Sequence, residues 1–249
     1  MSNVMLLYKR VTALSRDDHK DYKLKPVDGF EFASTTHWMP VAGAEFAHAA
    51  RHYPIVFTGE GDNLRPILLL GLEIGHNEYV GKDKAWKRDS YLPAFVRRYP
   101  FVLADTGAKG KELTVCFDAD FPGWNKTEGR ELFTAEGKNS EFLEEMLQFM
   151  NGFNVEMERT SAFVRELGRL KLLEKRSADI RSANGSTFKV QDILVVDEAA
   201  LSKLSGADLE ALNKAGFLGW IFAHLMSLGN LTSLFDLHLA RKGAEKEKK

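Results

Sequence analysis

Short apolar runs separated by turn residues occupy the first half of the chain, and this pattern predicts β-strands. Residues 53–58 are β-branched and aromatic, and a Gly/Asp/Asn cluster separates them from the apolar run at 65–72. A second pair of runs, at 101–104 and 112–117, flanks a turn rich in glycine and lysine. Strands joined by such short turns pair in the antiparallel sense. We therefore expect two β-hairpins.

In the middle of the chain, apolar residues at helical spacing replace the short strand-like runs. From Phe142 to Leu170, apolar residues recur at three- and four-residue steps, which is one apolar stripe on an α-helix. Either Asn139 or Ser140 is a suitable N-cap, because its side chain can accept a hydrogen bond from the first turn. The pattern predicts a helix that reaches about Glu174.

The last third of the chain predicts strands followed by helices. Residues 188–190 and 193–196 are short β-rich runs. Residues 209–239 are strongly apolar with helical spacing, broken at Gly216 and Gly229. We expect two short strands and then a group of core helices.

These patterns together predict an α+β fold. A mostly antiparallel sheet comes from the N-terminal half, and helices from the C-terminal half pack on it. We expect one domain over residues 1–240. Residues 241–249 are highly charged, and we expect this tail to be disordered.

Composition excludes several classes of function. The apolar fraction of 44% and the charged fraction of 28% are ordinary for a globular protein. The formal net charge of −1 provides no field to attract nucleic acid. Cys116 is the single cysteine, so no internal disulfide can form.

The same sequence predicts a cytoplasmic, soluble protein. The longest apolar run, at 215–223, is shorter than the roughly 18 residues that a membrane span needs. The N-terminus lacks the apolar core and cleavage site of a signal peptide. We expect no membrane span.

The segment 86–101, which we call the aromatic–arginine tract, is the strongest candidate for a binding surface. Rings and guanidinium groups give large contact energy for little conformational entropy. The pattern predicts a short helix over 90–98, capped by Ser90. The candidate ligand-binding residues in the tract are Trp86, Arg88, Tyr91, Arg97, Arg98 and Tyr99.

Two interpretations of the tract remain open. In the first, Tyr91 and Phe95 lie in the core, while Trp86, Arg97 and Arg98 form the binding site. The ligand then carries a carboxylate or phosphate for the arginines and an apolar or aromatic surface for the rings, and a peptide meets both demands. In the second, the rings form one core face and the arginines are solvated.

His224 is a further candidate, since it lies within an apolar helical segment. Burial favours the neutral imidazole and lowers its pKa. Such a histidine either hydrogen-bonds a backbone carbonyl and joins two elements, or it faces an internal cleft as a ligand-binding group.

A metal-dependent enzyme is the alternative that uses chemistry outside the tract. His48 and His52 are four residues apart, which places both imidazoles on one face of a helix. Asp118 and Asp120 follow a strand and offer oxygen ligands. The structural alternative is a helix end before Pro54 and an aspartate turn. The familiar nucleotide-binding, hydrolase and metalloprotease motifs are absent from the sequence.

Five segments in order resemble the SapC family of bacteria, a family linked by name to surface layers. They are the run at 53–57, Trp86, the run at 91–101, the run at 195–198 and the run at 223–228. The resemblance extends over nearly the whole chain.

The resemblance implies no established activity, no catalytic residues and no cofactor. Members of the family are encoded near flavin-dependent halogenase-like and cupin-type proteins. This context implies a role beside the handling of a peptide or an aromatic compound. We expect a binding or accessory protein whose partner is a peptide or protein ligand; the alternatives are the metal-dependent enzyme and a surface-layer or assembly component that forms a homo-oligomer.

Overall fold

The computed structural model describes residues 5–104, 113–182 and 185–246. Within these ranges the strands are β1 (Val11–Ala13), β2 (Lys23–Leu24), β3 (Trp38–Pro40), β4 (Ile55–Thr58), β5 (Arg65–Leu69), β6 (Phe101–Ala104), β7 (Thr114–Asp118), β8 (Trp124–Asn125), β9 (Arg130–Glu131), β10 (Leu173–Arg181) and β11 (Thr187–Val196). The helices are α1 (Arg16–His19), α2 (Phe46–Ala49), α3 (Ala94–Arg97), α4 (Glu141–Arg169), α5 (Glu198–Leu201), α6 (Gly206–Lys214), α7 (Phe217–Ser227) and α8 (Asn230–Lys246).

Three antiparallel sheets organise the described strands. The largest has the order β10-β11-β4-β5-β3, and two three-stranded sheets have the orders β1-β7-β6 and β8-β2-β9. Both predicted hairpins are confirmed: β4 pairs with β5, and β6 pairs with β7. The turn between β6 and β7 lies outside the described residues.

The central helix α4 begins as predicted and ends earlier. Ser140 is its N-cap, and the Ser140 hydroxyl accepts a hydrogen bond from the Leu143 amide. The expected extension to Glu174 is wrong, because Lys171 adopts a left-handed conformation with φ of 53°. The chain then enters β10 at Leu173, which pairs with Val196 of β11.

Two further boundaries differ from the sequence prediction. The two expected strands at 188–190 and 193–196 are parts of one strand, β11, which is irregular near Asp192, a residue with a φ of 59°. The expected helix over 90–98 is limited to α3, with Pro93 as its N-cap in place of Ser90. The Ser90 hydroxyl donates to the Lys87 carbonyl instead.

The helices of the C-terminal half pack on the largest sheet. Ile221 of α7 and Leu234 of α8 are completely buried in the same core cluster as Ile55 and Leu68 of the sheet. Phe163 of α4 completes this cluster. Each such side chain contributes about 1.5–3 kcal/mol through burial. The predicted α+β class is confirmed.

The charged C-terminal segment departs from the expected disorder. Helix α8 continues to Lys246, and Arg241 on it pairs with Glu78 at 3.0 Å and with Glu73 at 2.8 Å. These ion pairs hold the end of α8 against the segment that follows β5, so residues 241–246 are helical.

Among the described helices, no single one combines the length and the apolar character that a membrane span requires. Helices α7 and α8 meet the length and composition criteria only when taken together, and they are bent by 41° at their junction.

Candidate functional site

The aromatic–arginine tract is held in place by a buried carboxylate, that of Glu45. One oxygen of Glu45 accepts the Ala94 amide hydrogen at 2.7 Å and the Tyr91 hydroxyl hydrogen at 2.9 Å. The other oxygen accepts from the Ala42 amide at 3.3 Å. A carboxylate that accepts several hydrogen bonds makes a strong anchor. Glu45 therefore fixes the start of α3, which carries Arg97.

Trp86 belongs to the core. Its side chain is only 9% exposed, and its indole nitrogen donates to the Tyr53 hydroxyl at 2.9 Å. The Tyr53 hydroxyl in turn donates to the Tyr91 carbonyl. Burial raises the pKa of Tyr53 to about 12, so the phenol stays protonated and keeps its donor. The structure thus gives Trp86 a packing role and joins it to Tyr91.

The arginines of the tract point to different surroundings. Arg88 is exposed and lines neither of the two cavities described below. Arg97 is exposed and lines one cavity, whereas Arg98 is buried and lines the other. Successive residues on a helix point about 100° apart, which separates these neighbours. The three arginines that were predicted to bind a ligand therefore do not line one groove.

A cleft of about 420 Å³ lies on the Arg97 side of α3, and we call it the aromatic cleft. Three cationic residues line it, and none of its described lining residues is acidic. Its aromatic rings and its cations are Phe30, Phe32, Tyr99, Phe101, Phe121, Phe142, Lys25, Arg97 and Arg130.

Stacked rings form one wall of the aromatic cleft. Tyr99 stacks on Phe32 with ring centroids 4.2 Å apart, and Phe121 meets Tyr99 edge-on at 5.4 Å. The Tyr99 hydroxyl donates to Asp118 at 2.9 Å. Burial and this hydrogen bond raise the pKa of Tyr99, so the wall is neutral. Such pairs of rings hold their geometry with little entropy to lose.

The two arginines of the aromatic cleft have no carboxylate within 4.0 Å among the described residues. Arg97 donates to the Leu92 carbonyl at 3.2 Å and to the Tyr91 hydroxyl at 3.3 Å. The Arg130 guanidinium lies 4.1 Å from the centroid of the Phe142 ring. Both cations are therefore available to an acidic ligand. Lys25 differs, because it pairs with Glu128 at 2.5 Å.

His224 joins the sheet to α7, which is one of the two roles predicted for it. Its Nδ1 lies 2.8 Å from the Ile55 carbonyl oxygen, and its Nε2 lies 3.1 Å from the Val196 amide nitrogen. Since an amide can only donate, Nε2 accepts and Nδ1 carries the proton. Burial lowers the pKa of His224 to about 4. His224 lines neither cavity.

The predicted metal ligands do not form a cluster. No group of three or more His, Cys, Asp or Glu side chains is positioned to hold a metal within the described ranges. Helix α2 ends at Ala49, before His52, and His48 stacks on Tyr91 with ring centroids 5.6 Å apart. The two histidines therefore do not share one helix face.

The aspartates at the end of β7 hold backbone and side-chain partners. Asp118 is buried and accepts amide hydrogens from Lys9 and Arg10, each at 3.0 Å. Burial opposes its ionisation, but these bonds outweigh burial and lower the pKa of Asp118. Asp120 pairs with Arg10 at 2.8 Å. The predicted aspartate turn is confirmed for Asp118, which also accepts the Asp120 amide hydrogen at 3.1 Å, but not for Asp120, which bonds the Arg10 side chain.

Several residues of the aromatic cleft escaped sequence analysis. Phe32 comes from the turn before β3, Phe121 follows β7, and Arg130 lies on β9. No local motif marks these positions, because only the folding of distant segments against α3 brings them together.

Comparison with known proteins gave one match. Neither the curated proteins nor the solved structures contain a match to this chain. The family model described as SapC matches residues 14–234 of the 249. That range is most of the sequence, and the chain belongs to the SapC family.

Proposed function

We propose that the protein is a binding module whose aromatic cleft holds a ligand with an aromatic body and an acidic group, such as a peptide. The supporting observation is a cleft lined by stacked rings and three cationic residues, with no acid among its described lining residues. Rings supply the contact area, and arginine supplies directional hydrogen bonds to a carboxylate or phosphate.

The dimensions of the cleft fit this ligand class. Its volume of about 420 Å³ falls within the range typical of small-molecule sites, roughly 300–1,000 Å³. An aromatic residue with its backbone occupies such a space, and its ring would pack on Tyr99 and Phe121. The carboxylate would then lie between Arg97 and Arg130, whose charges no described acid neutralises.

The charge pattern also favours a bound anion. Arg97 is already oriented by hydrogen bonds to neutral oxygens on Leu92 and Tyr91, so little side-chain entropy is lost on binding. Neutral acceptors leave the positive charge uncompensated, and a ligand carboxylate compensates it.

Calorimetric titration of the purified protein with N-acetyl-phenylalanine and with N-acetyl-phenylalanine amide tests the proposal. The two compounds have the same ring and differ in charge. The acid should bind at least about tenfold more tightly, because a hydrogen bond to a charged group contributes about 1.5–3 kcal/mol. Equal affinities would contradict the role of the cations.

Matched variants locate the binding. Arg97→Gln and Arg130→Gln should each weaken binding of the acid about tenfold or more, with the amide much less affected. Arg88→Gln removes the same charge from an exposed residue outside the cleft, and it should leave the affinity unchanged. Equal losses in all three variants would indicate a general charge effect and refute the assignment.

A segment of a protein partner is the second kind of ligand that fits the aromatic cleft. The family context includes halogenase-like and cupin-type neighbour proteins, and a segment that ends in an aromatic acid would fit the cleft. Adding such a purified neighbour to the titration should block N-acetyl-phenylalanine if the partner binds there. Unchanged affinity for the small ligand would exclude this occupant.

One observation favours assembly as a second candidate function. Phe222 is 52% exposed and Met226 is 78% exposed, and their four-residue spacing places them on one face of α7. Light scattering over a range of concentrations measures the mass. A dimer or larger species that Met226→Ser converts to monomer would support assembly, and a monomeric wild-type mass would refute it.

A further inference from the structure

A second cavity lies on the other side of α3, and we call it the Arg98 cavity. Its volume is about 130 Å³, and it shares no lining residue with the aromatic cleft. Helix α4, the turn before β5 and α3 supply its walls. The lining residues that matter here are Arg65, Phe95, Arg98, Met150, Phe153 and Met157.

Arg98 is a buried cation without a described anionic partner. It is only 7% exposed, and its Nε has no hydrogen-bond partner. No ion pair within 4.0 Å reaches it among the residues that the structure describes. Its guanidinium carbon lies 4.2 Å from the centroid of Phe95 and 5.2 Å from that of Phe153. Arginine stays charged in proteins, so this charge is present and uncompensated.

The phenol beside Arg98 is neutral. The Arg98 guanidinium carbon lies 5.8 Å from the centroid of the Tyr8 ring, and the Tyr8 hydroxyl donates to the Phe101 carbonyl at 2.6 Å. Burial raises the pKa of Tyr8 to about 12, so the phenol is not a counter-ion. An uncompensated charge that is this deeply buried opposes folding unless a ligand neutralises it.

A second arginine lines the same cavity. The Nε atom of Arg65 is also buried and without a hydrogen-bond partner, and no described carboxylate lies within 4.0 Å of its side chain. The one acid among the described lining residues, Asp62, is exposed at the turn before β5. Two guanidinium groups without a described acid partner therefore line one small space, together with rings, methionines and the polar side chains of Asn63, Asn154 and Ser161.

We propose that the Arg98 cavity binds a short aliphatic carboxylate. The guanidinium groups of Arg98 and Arg65 would donate to the carboxylate oxygens, and Met150 and Met157 would contact the alkyl part. A cavity of about 150 Å³ accepts a molecule of six heavy atoms, such as benzene. Butyrate has the same number of heavy atoms. The apolar part of the lining favours a carboxylate with an alkyl tail over inorganic phosphate.

Thermal unfolding in titrations with sodium butyrate, n-butanol, sodium phosphate and sodium chloride tests this site. Butyrate should raise the midpoint by several degrees at saturation, because a ligand that binds only the folded state stabilises it. Butanol shares the alkyl group without the charge, and chloride controls for ionic strength; neither should match butyrate. Stabilisation by phosphate but not by butyrate would overturn the proposed ligand class.

Arg98→Met and Arg97→Met provide the matched pair of variants. Methionine keeps an unbranched side chain and removes the charge. Arg98→Met should abolish the butyrate-dependent shift and, without butyrate, unfold at or above the wild-type temperature. Arg97→Met alters only the aromatic cleft and should keep the shift. Loss of the shift in Arg97→Met, with retention in Arg98→Met, would place the binding elsewhere and refute the site.

Wild-type crystals grown with butyrate decide the question even if Arg98→Met fails to fold. The expected result is a carboxylate within hydrogen-bond distance of the Arg98 guanidinium, absent from crystals grown with chloride. A cavity with the same density in both crystals would overturn the proposal. Neither experiment depends on a ligand in the aromatic cleft, so this site and the proposed function fail or hold separately.

Discussion

Protonation of His224 should reduce the stability of the protein in mild acid. The side chain is fully buried, and both of its ring nitrogens are engaged, one as donor to Ile55 and one as acceptor from Val196. A second proton on the ring would face the Val196 amide hydrogen, so the charged form loses a hydrogen bond and remains unsolvated.

The size of the effect follows from the two pKa values. The ordinary histidine pKa is about 6.5, and burial lowers the pKa of His224 to about 4 in the folded protein. Between these values the unfolded chain binds the proton and the folded chain does not, so stability falls as the pH falls. The full difference is worth about 3 kcal/mol, of which about 2 kcal/mol is lost between pH 7 and pH 5.

Urea unfolding of the wild type and of His224→Gln at pH 7, 6 and 5 measures this contribution. The variant should be less stable at pH 7, because the glutamine amide reproduces the two hydrogen bonds imperfectly. Between pH 7 and pH 5, the free energy of unfolding of the variant should fall by about 2 kcal/mol less than that of the wild type. Other titrating groups contribute equally to both proteins. Parallel pH profiles would refute the reasoning.

Three further substitutions test the packing around the candidate site. Glu45→Gln should reduce the free energy of unfolding by about 1–3 kcal/mol and weaken binding in the aromatic cleft, because the amide cannot accept all of the hydrogens that anchor Ala94 and its neighbours. Asp118→Ala should cost about 1–3 kcal/mol in urea unfolding, since it removes the acceptor of the partly buried Lys9 and Arg10 amides. Gly43→Ala should cost about 1–3 kcal/mol, because its Cβ would lie 2.3 Å from the Trp220 ring; a neutral result for any of the three would contradict these contacts.

Local chemistry made much of the fold predictable. The pairs β4–β5 and β6–β7 follow from short turns between apolar runs, and both are present. Ser140 caps α4, and its hydroxyl accepts a hydrogen bond from the amide three residues later. These features depend on residues close in sequence, where propensity and periodicity are strong guides.

Boundaries that depend on tertiary contacts were harder to predict. The apolar stripe of α4 continues past Arg169, yet pairing with β11 draws residues 173–181 into a strand. A distant contact also sets the start of α3 in the aromatic–arginine tract. Glu45, almost fifty residues away, bonds the Ala94 amide there, and no local signal near Ser90 reveals this. The spacing of apolar residues predicts which residues share a helix face, but pairing of the following residues with the sheet determines where the helix ends.

The density of rings and arginines in the tract has a structural explanation that sequence alone did not give. Helix α3 stands between two cavities, so adjacent residues on it serve opposite sides: Arg97 lines the aromatic cleft and Arg98 lines the Arg98 cavity. Phe95 stacks on Arg98, while Tyr99 lies on the opposite side with Arg97. Because this one segment forms a wall of each cavity, it needs rings and arginines on both of its faces. This explains why the tract contains more rings and arginines than one core face or one groove would require.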